Sequence, residues 1–381
     1  MPLSDVLFQD TAQSHLQRAL ISGRMPHAYL FTGPPGVGKE MLATALAQTL
    51  LCANAGLQKK EDEPAGLFGP PPEAESIPAG IDACGRCIDC ELFTAGNHPD
   101  FHRVHRMLAK LHPDAEVRRR KATVISVDVI RHFLINPIGV RPSRGRAKVF
   151  ILAEAERLSD EAQNAMLKTL EEPPGHSYLI LLATSADTLL ATTRSRCQQL
   201  ALGTLPDEYV FEQLSARASL PAPSAQFLAA LAQGSLGLAL RYAELGMHEH
   251  LDSILAAVTM APEEPMAASK SLQELAKEIA AKLKKSTDDE DGDTNNARDA
   301  QSLIFSMIGT VLRDALRSSV GAAPIAVSNA GAIHSPVSGT AGIRNAIRAA
   351  GLAEYHVTRN ANTGLIFDEL AIALSRRAAA V

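Results

Sequence analysis

Residues 33–39, Gly33-Pro34-Pro35-Gly36-Val37-Gly38-Lys39, fit the pattern G-x-x-x-x-G-K. In such a loop, glycines let backbone N–H groups turn toward phosphate, the following helix N-terminus adds positive partial charge, and the lysine reaches the β- and γ-phosphates. The next position normally carries a hydroxyl for Mg²⁺. Here it is Glu40, longer and negatively charged. A second acidic element is expected after the apolar run Val149-Phe150-Ile151-Leu152: an Asp for the metal, then a Glu to polarise the attacking water. The chain has Ala153 and Glu154 instead. Both usual metal ligands are missing, and phosphoryl transfer needs the metal to neutralise charge in the transition state. No independent catalysis is expected. Glu154 reads as a remnant or a local cap, and retained Lys39 leaves weak binding of ATP open, the expectation being weak or none.

The second group is cysteine. Of five cysteines, Cys84, Cys87 and Cys90 form a C-x-x-C-x-x-C run, and Cys52 closes the helical pattern after the phosphate loop. Clustered thiols in a cytosolic chain favour metal over disulfides. Four thiolates suffice for tetrahedral Zn²⁺, structural because every position is filled by protein. Iron–sulfur clusters use similar runs, but the following fourth cysteine and proline are absent here. Glu91 and His98 lie nearby and are not needed as ligands. Cys197 reads as a small packed residue.

The elements that must hold these residues follow from periodicity. Apolar runs at 28–32, 101–104, 123–127, 149–153, 178–183 and 198–201 read as strands. Helical patterns run over 40–52, 128–135 and 160–171, the last with Ser159 as a cap and acids in its first turn. Strands alternating with helices imply a parallel α/β sheet over residues 1–203. Beyond Leu205-Pro206 alanine and leucine dominate at helical spacing, interrupted by Gly234-Ser235. Residues 53–83 and 284–296 read as disordered, the acidic run Asp288-Asp289-Glu290-Asp291 as a solvated linker.

At 381 residues, 46% hydrophobic and 21% charged, the chain has room for two or three ordinary globular domains. It lacks an apolar run long enough to span a bilayer, and its first residues lack signal-peptide character, so a cytoplasmic protein with no membrane contact is expected. A net charge of -5 argues against strong grip on DNA by this chain alone. Two basic clusters, Arg118-Arg119-Arg120-Lys121 and Arg141, Arg144, Arg146 and Lys148, read as loop charge. The alternative is a place beside DNA in a larger complex.

Pro26-His27-Ala28-Tyr29-Leu30-Phe31 before the loop, Ser159 to Pro174 (SDEAQNAMLKTLEEPP), and Thr193-Arg194-Ser195-Arg196-Cys197 together resemble the clamp-loader AAA+ subunits of bacterial DNA polymerase III, over about the first 200 residues. The resemblance implies a RecA-like AAA+ P-loop domain over 1–203 with a zinc module inserted at about 52–98, a small helical lid over 204–248, and an all-α collar over 249–381 that holds a hetero-pentamer. Asn360-Ala361-Asn362 before Leu365, Phe367 and Leu370 resembles the family's final helix. Ser195 and Arg196 match the family's SRC motif, whose arginine enters the neighbour's ATP site. Thr184 and Ser185 match its polar sensor, and Cys52, Cys84, Cys87 and Cys90 its zinc ligands. The motor branch, gamma/tau, also carries an arginine after the lid's Gly-Ser pair; here Gly237 follows Leu236. With Glu40 and Ala153 this makes three departures from a motor, so the resemblance implies a non-motor subunit with a vestigial phosphate loop at Gly33, Gly36, Gly38 and Lys39. Its partners would be gamma/tau and delta subunits, and through them the sliding clamp and primed DNA in replication. An active gamma/tau-type ATPase is the alternative. A small-molecule kinase would leave the SRC motif unexplained.

Overall fold

The computed structural model describes residues 2–55, 81–120, 122–144, 146–286, 293–327, 339–359 and 361–375. The acidic run 288–291, most of the insert 53–83, Lys121 and Asn360 lie outside them. The chain divides into two compact units, Met1–Thr204 and Leu205–Val381.

In the first unit, β1 (Ala28–Thr32), β2 (Phe101–Val104), β3 (Lys148–Leu152), β4 (Ser177–Ala183) and β5 (Gln198–Ala201) form one sheet in the order β2-β3-β4-β1-β5. Every pairing is parallel, with Ala28 opposite Leu179, Tyr29 opposite Gln198, Phe101 opposite Val149, and Lys148 opposite Ser177. Parallel strands are buried on both faces, so they read as continuous apolar runs. The period of two then sorts their side chains into two layers. Tyr29, Phe31, Val149, Ile151, Ile180 and Leu182 pack on one face with the helices Asp10–Ser22 and Lys39–Leu51. Leu30, Phe150, Leu152, Leu179 and Leu181 pack on the other with Met166 and Leu170 of the helix Asp160–Glu171. A one-residue register slip would exchange the two layers.

Several sequence expectations change. Residues 123–127 are not a strand: Ile125 makes one isolated parallel bridge to Leu158, and the helix Val127–Ile130 begins two residues later. Leu158 lies in the turn before the Ser159 cap, which leaves no partner strand to extend the bridge. The helical pattern at 128–135 extends through Ile138, passing through a π-turn over Arg131–Ile135 just before Pro137. Proline supplies no N–H to the helical ladder. The ends of the presumed loose segments are also ordered. Asp82 Oδ1 accepts the Leu3 N–H at 2.8 Å and Ala55 is buried. Residues 284–286 close the helix Pro265–Ser286, and 293–296 open the helix Asp293–Ser319. Lys284 and Lys285 stand at a helix C-terminus, where cations are favoured.

The second unit is helical among its described residues, and one apolar cluster runs from Leu205 to Leu374. Ser235 caps the helix Leu236–Glu244, its Oγ accepting the Leu238 N–H at 3.1 Å. Phe305 and Phe367 pack with centroids 4.9 Å apart and their rings tilted by 44°. Asp314, only 3% exposed, pins the segment that follows its own helix: its carboxylate accepts the N–H groups of Ile325, Ala326 and Val327 at 3.0, 2.6 and 2.7 Å. Among the described residues no helix is long and apolar enough to cross a membrane. Removing the Asp314 carboxylate strands three N–H groups, two of them in buried contacts, so Asp314→Ala is expected to cost about 3 kcal/mol, read as a lowered urea midpoint for helix loss.

Candidate functional site

The site lies at the carboxyl ends of the central strands, where open parallel sheets bring their loops together. β1 delivers the phosphate loop, β3 delivers Ala153 and Glu154, and β4 delivers Thr184 and Ser185. The loop needs its glycines. Gly33 has φ 147, and a Cβ there would stand 2.4 Å from the Leu202 carbonyl oxygen beyond β5. Gly38 has φ 102 and caps the helix Lys39–Leu51, its carbonyl accepting the Leu42 N–H at 2.9 Å. Lys39 folds back into the loop: Nζ donates to the carbonyls of Gly33 and Pro34, the latter at 2.7 Å. Burial pushes its ammonium below the usual lysine range, partly countered by the Glu156 carboxylate.

The metal side of the loop is occupied by ion pairs. Glu40, where a hydroxyl would hold Mg²⁺, pairs with Arg103 of β2. Ala153 is buried and offers no ligand. Glu154 has φ 55, and its Oε1 lies 3.3 Å from both Arg106 Nε and Arg157 Nε. It is therefore an arginine-held carboxylate and not merely a local cap. Thr184 gives its carbonyl to the Gly33 N–H at 3.3 Å, and Ser185 Oγ accepts the Asp187 N–H, also at 3.3 Å. These are local hydrogen bonds. Sequence reading missed Arg103 and Arg106, because their partners are distant in the chain, and Arg157, which pairs with Glu154 three residues away across a short turn and not along an expected helix.

Arg196 follows the short helix Ala191–Arg194 and precedes β5, with its side chain 32% exposed. Its Nε donates to Glu171 Oε1 at 2.7 Å and its Nη1 to the Thr192 carbonyl at 2.9 Å. Ser195 Oγ donates to the same carbonyl at 3.1 Å. Cys197 is buried in the core, and burial pushes its thiol up to about 12.

The structure brings Cys52, Cys84, Cys87 and Cys90 together, with all four Sγ atoms within 4.8 Å of one another. Cys52 Sγ and Cys87 Sγ are 3.7 Å apart, close to the ~3.8 Å separation of sulfurs around tetrahedral zinc with Zn–S of about 2.3 Å. Backbone N–H groups of Asn54 and Cys84 point at Cys52 Sγ at 3.4 and 3.3 Å. At Cys87 burial raises the pKa, but N–H groups of Cys90 and Ala53 and the neighbouring thiols outweigh it, and the group falls to about 6. Burial and the thiols of Cys52 and Cys87 push Cys90 up to about 12. Four bare thiolates cannot coexist near neutral pH; a dication would let them. The residues fit a metal ion such as zinc.

The basic residues near 144–148 are structural ties. Arg144 Nε pairs with Asp89 Oδ1 at 2.7 Å, and Arg146 donates to the Cys52 carbonyl. Asp100 accepts the backbone N–H groups of Ser143 and Arg144 at 2.7 and 2.8 Å. His98 Nδ1 accepts the Asp100 N–H at 3.2 Å, and burial holds its pKa below the usual histidine range. Buried Lys148 donates to the carbonyls of Pro137 and Val140, each at 3.0 Å. In the other cluster Arg120 pairs with Asp128 at 3.1 Å, and Arg118 donates to the Pro113 carbonyl at 2.7 Å.

A glycine-rich loop after β1, in a parallel sheet where β4 and β5 flank β1, defines an α/β P-loop protein and fits the AAA+ fold. Residues 8–65 and 74–206 match the family described as DNA polymerase III, delta subunit, and the chain belongs to that family. A relative in Escherichia coli K12, DNA polymerase III subunit delta', is 32% identical over 219 residues, 58% of this chain and 55% of that protein. Another of the same description in Pseudomonas aeruginosa is 33% identical over 245 residues, 64% of this chain and 63% of that protein. DNA polymerase III subunit tau of Salmonella typhimurium is 33% identical over 55% of this chain and 27% of its own length. The chain thus spans between 41% and 63% of the length of the delta' relatives it matches. Together these matches support a delta-prime chain.

Two outcomes follow. Titrating Zn²⁺ into metal-free chain is expected to raise its melting temperature, by about 4 kcal/mol of stabilisation at a thousandfold excess over Kd, and Cys52→Ala should erase the gain. At pH 8, mass-spectrometric mapping after brief alkylation of the folded chain should leave Cys197 unmodified, its buried thiol remaining protonated.

Proposed function

We propose that this chain is a delta-prime-type, non-hydrolysing subunit of a DNA polymerase III clamp loader. It assembles with gamma/tau and delta subunits in a hetero-pentamer and donates Arg196, with Ser195 beside it, to a neighbouring motor while the sliding clamp is placed on primed DNA. The observation that carries this reading is the state of its own phosphate site. Glu40 is taken by Arg103, Glu154 by Arg106 and Arg157, and the metal-side aspartate is a buried alanine. At positions 40, 153 and 154 the chain offers no free carboxylate or hydroxyl for Mg²⁺, and phosphoryl transfer then loses its main source of charge neutralisation. Gly237, in the helix capped by Ser235, stands where a motor carries its sensing arginine.

In this reading residues 1–203 are the AAA+ domain, 204–248 the lid and 249–381 the collar that closes the ring. Cys52, Cys84, Cys87 and Cys90 hold a structural zinc, and the protein works in the cytoplasm. The phosphate loop of Gly33, Gly36, Gly38 and Lys39 is a vestige that binds ATP weakly or not at all. A gamma/tau-type ATPase is the second reading, favoured by the intact G-x-x-x-x-G-K pattern and by the tau relatives at 33% identity.

ATP turnover separates them. The isolated chain is expected to be silent, while Arg196→Ala in this chain alone lowers turnover by the reconstituted loader, the served site losing on the order of 10³-fold. Robust hydrolysis by the isolated chain, with no effect of the substitution in the assembly, would establish the motor reading instead.

A further inference from the structure

The arginine assigned to a neighbour is held at home. Both Nε and Nη2 of Arg196 donate to the same oxygen of Glu171, and Nη1 donates to the Thr192 carbonyl and, at 3.4 Å, to Ser195 Oγ. Glu171 is the last residue of the helix Asp160–Glu171, followed by Glu172 at the cap and then by Pro173-Pro174. A carboxylate in that place stands at the negative end of the helix dipole, which disfavours an anion. A guanidinium laid against it removes the penalty. The neighbouring Arg194 is committed elsewhere, to Asp187, so the two arginines of the segment are not exchangeable partners for Glu171.

We propose that Glu171 is a latch in cis for Arg196, a positioning residue that keeps the guanidinium on its own subunit until a more highly charged anion competes for it. That anion is the terminal phosphate of a nucleoside triphosphate bound in the adjacent subunit. This rests on the reading of Arg196 as a donated arginine. The donors that grip a carboxylate are those that grip phosphate, so the guanidinium cannot serve both fully at once. Glu171 is half exposed, which limits the strength of the pair: such contacts shift an equilibrium by up to about fivefold. The latch therefore sets a threshold and does not block.

The test uses the reconstituted loader with Glu171→Gln in this chain only, without clamp or DNA. Turnover is expected to rise two- to fivefold, and the double variant Glu171→Gln with Arg196→Ala should match Arg196→Ala alone. In the isolated chain, hydrogen exchange at Arg196 Nε, followed by NMR, should be slow in the native protein and faster in Glu171→Gln, with unchanged melting temperature. A fall in turnover toward the Arg196→Ala value would overturn the latch, since Glu171 would then be aiding the donated arginine. Equal Nε exchange in the two chains would overturn it as well. If Arg196→Ala leaves turnover untouched while the exchange difference holds, it is the donated-arginine reading that fails, and the pair is only a helix cap.

Discussion

β1 is hydrogen-bonded on both sides, to β4 through Ala28–Leu179 and its successors and to β5 through Tyr29–Gln198 and its successors. A central parallel strand has no freedom to shift, because a slip would send Tyr29 and Phe31 into the layer built for Ala28 and Leu30. The phosphate loop inherits that rigidity. Its first residue leaves β1 beside the Leu202 carbonyl and bonds to Thr184 beyond β4, so neighbouring strands on both sides shape the loop. The ends of β3 and β4 are fixed with it, and with them Ala153, Glu154 and Ser185.

On this frame the glycine loop keeps its backbone shape while the positions where the pattern expects metal ligands are ion-paired or apolar. Positive φ at Gly33, Gly36 and Gly38 preserves the loop, and Lys39 fills it by donating to loop carbonyls. Glu40 and Glu154 are balanced by arginines from β2, from the turn after it and from the turn after β3. Carboxylates crowded near a phosphate site repel both one another and the ligand unless a cation lies between them. A divalent ion can supply that cation; here guanidinium groups of the same chain pair with Glu40 and Glu154. The charge balance thus belongs to the fold and does not depend on a ligand.

The cysteine module is tied to the same framework. Arg146 reaches the Cys52 carbonyl, Arg144 reaches Asp89 beside Cys90, and Asp100 gathers the backbone of that arginine-bearing loop. The loop leads directly into β3. A metal held by the four thiols would therefore brace the segment that delivers Ala153 and Glu154, through contacts already present in the chain.

The sequence by itself determined the parts whose cause is local. Residue type dictates the glycine loop and the lysine, the Ser159-capped helix, the apolar runs that form five of six expected strands, and the compact cysteine run. The substitutions at 40 and 153 were equally legible, since a missing ligand is missing in any fold. What tertiary structure decided is pairing over distance. Nothing local couples Glu40 to Arg103, Glu154 to Arg106, or Arg196 to Glu171, because strands far apart in the chain meet only when the sheet closes. The same reason undid residues 123–127, whose apolar run found one bridge at Leu158 and no neighbouring strand. Cys52 stood between the two cases. Its thiol type pointed to a metal, but only the folded helix end and the Arg146 tie bring it within reach of Cys84, Cys87 and Cys90.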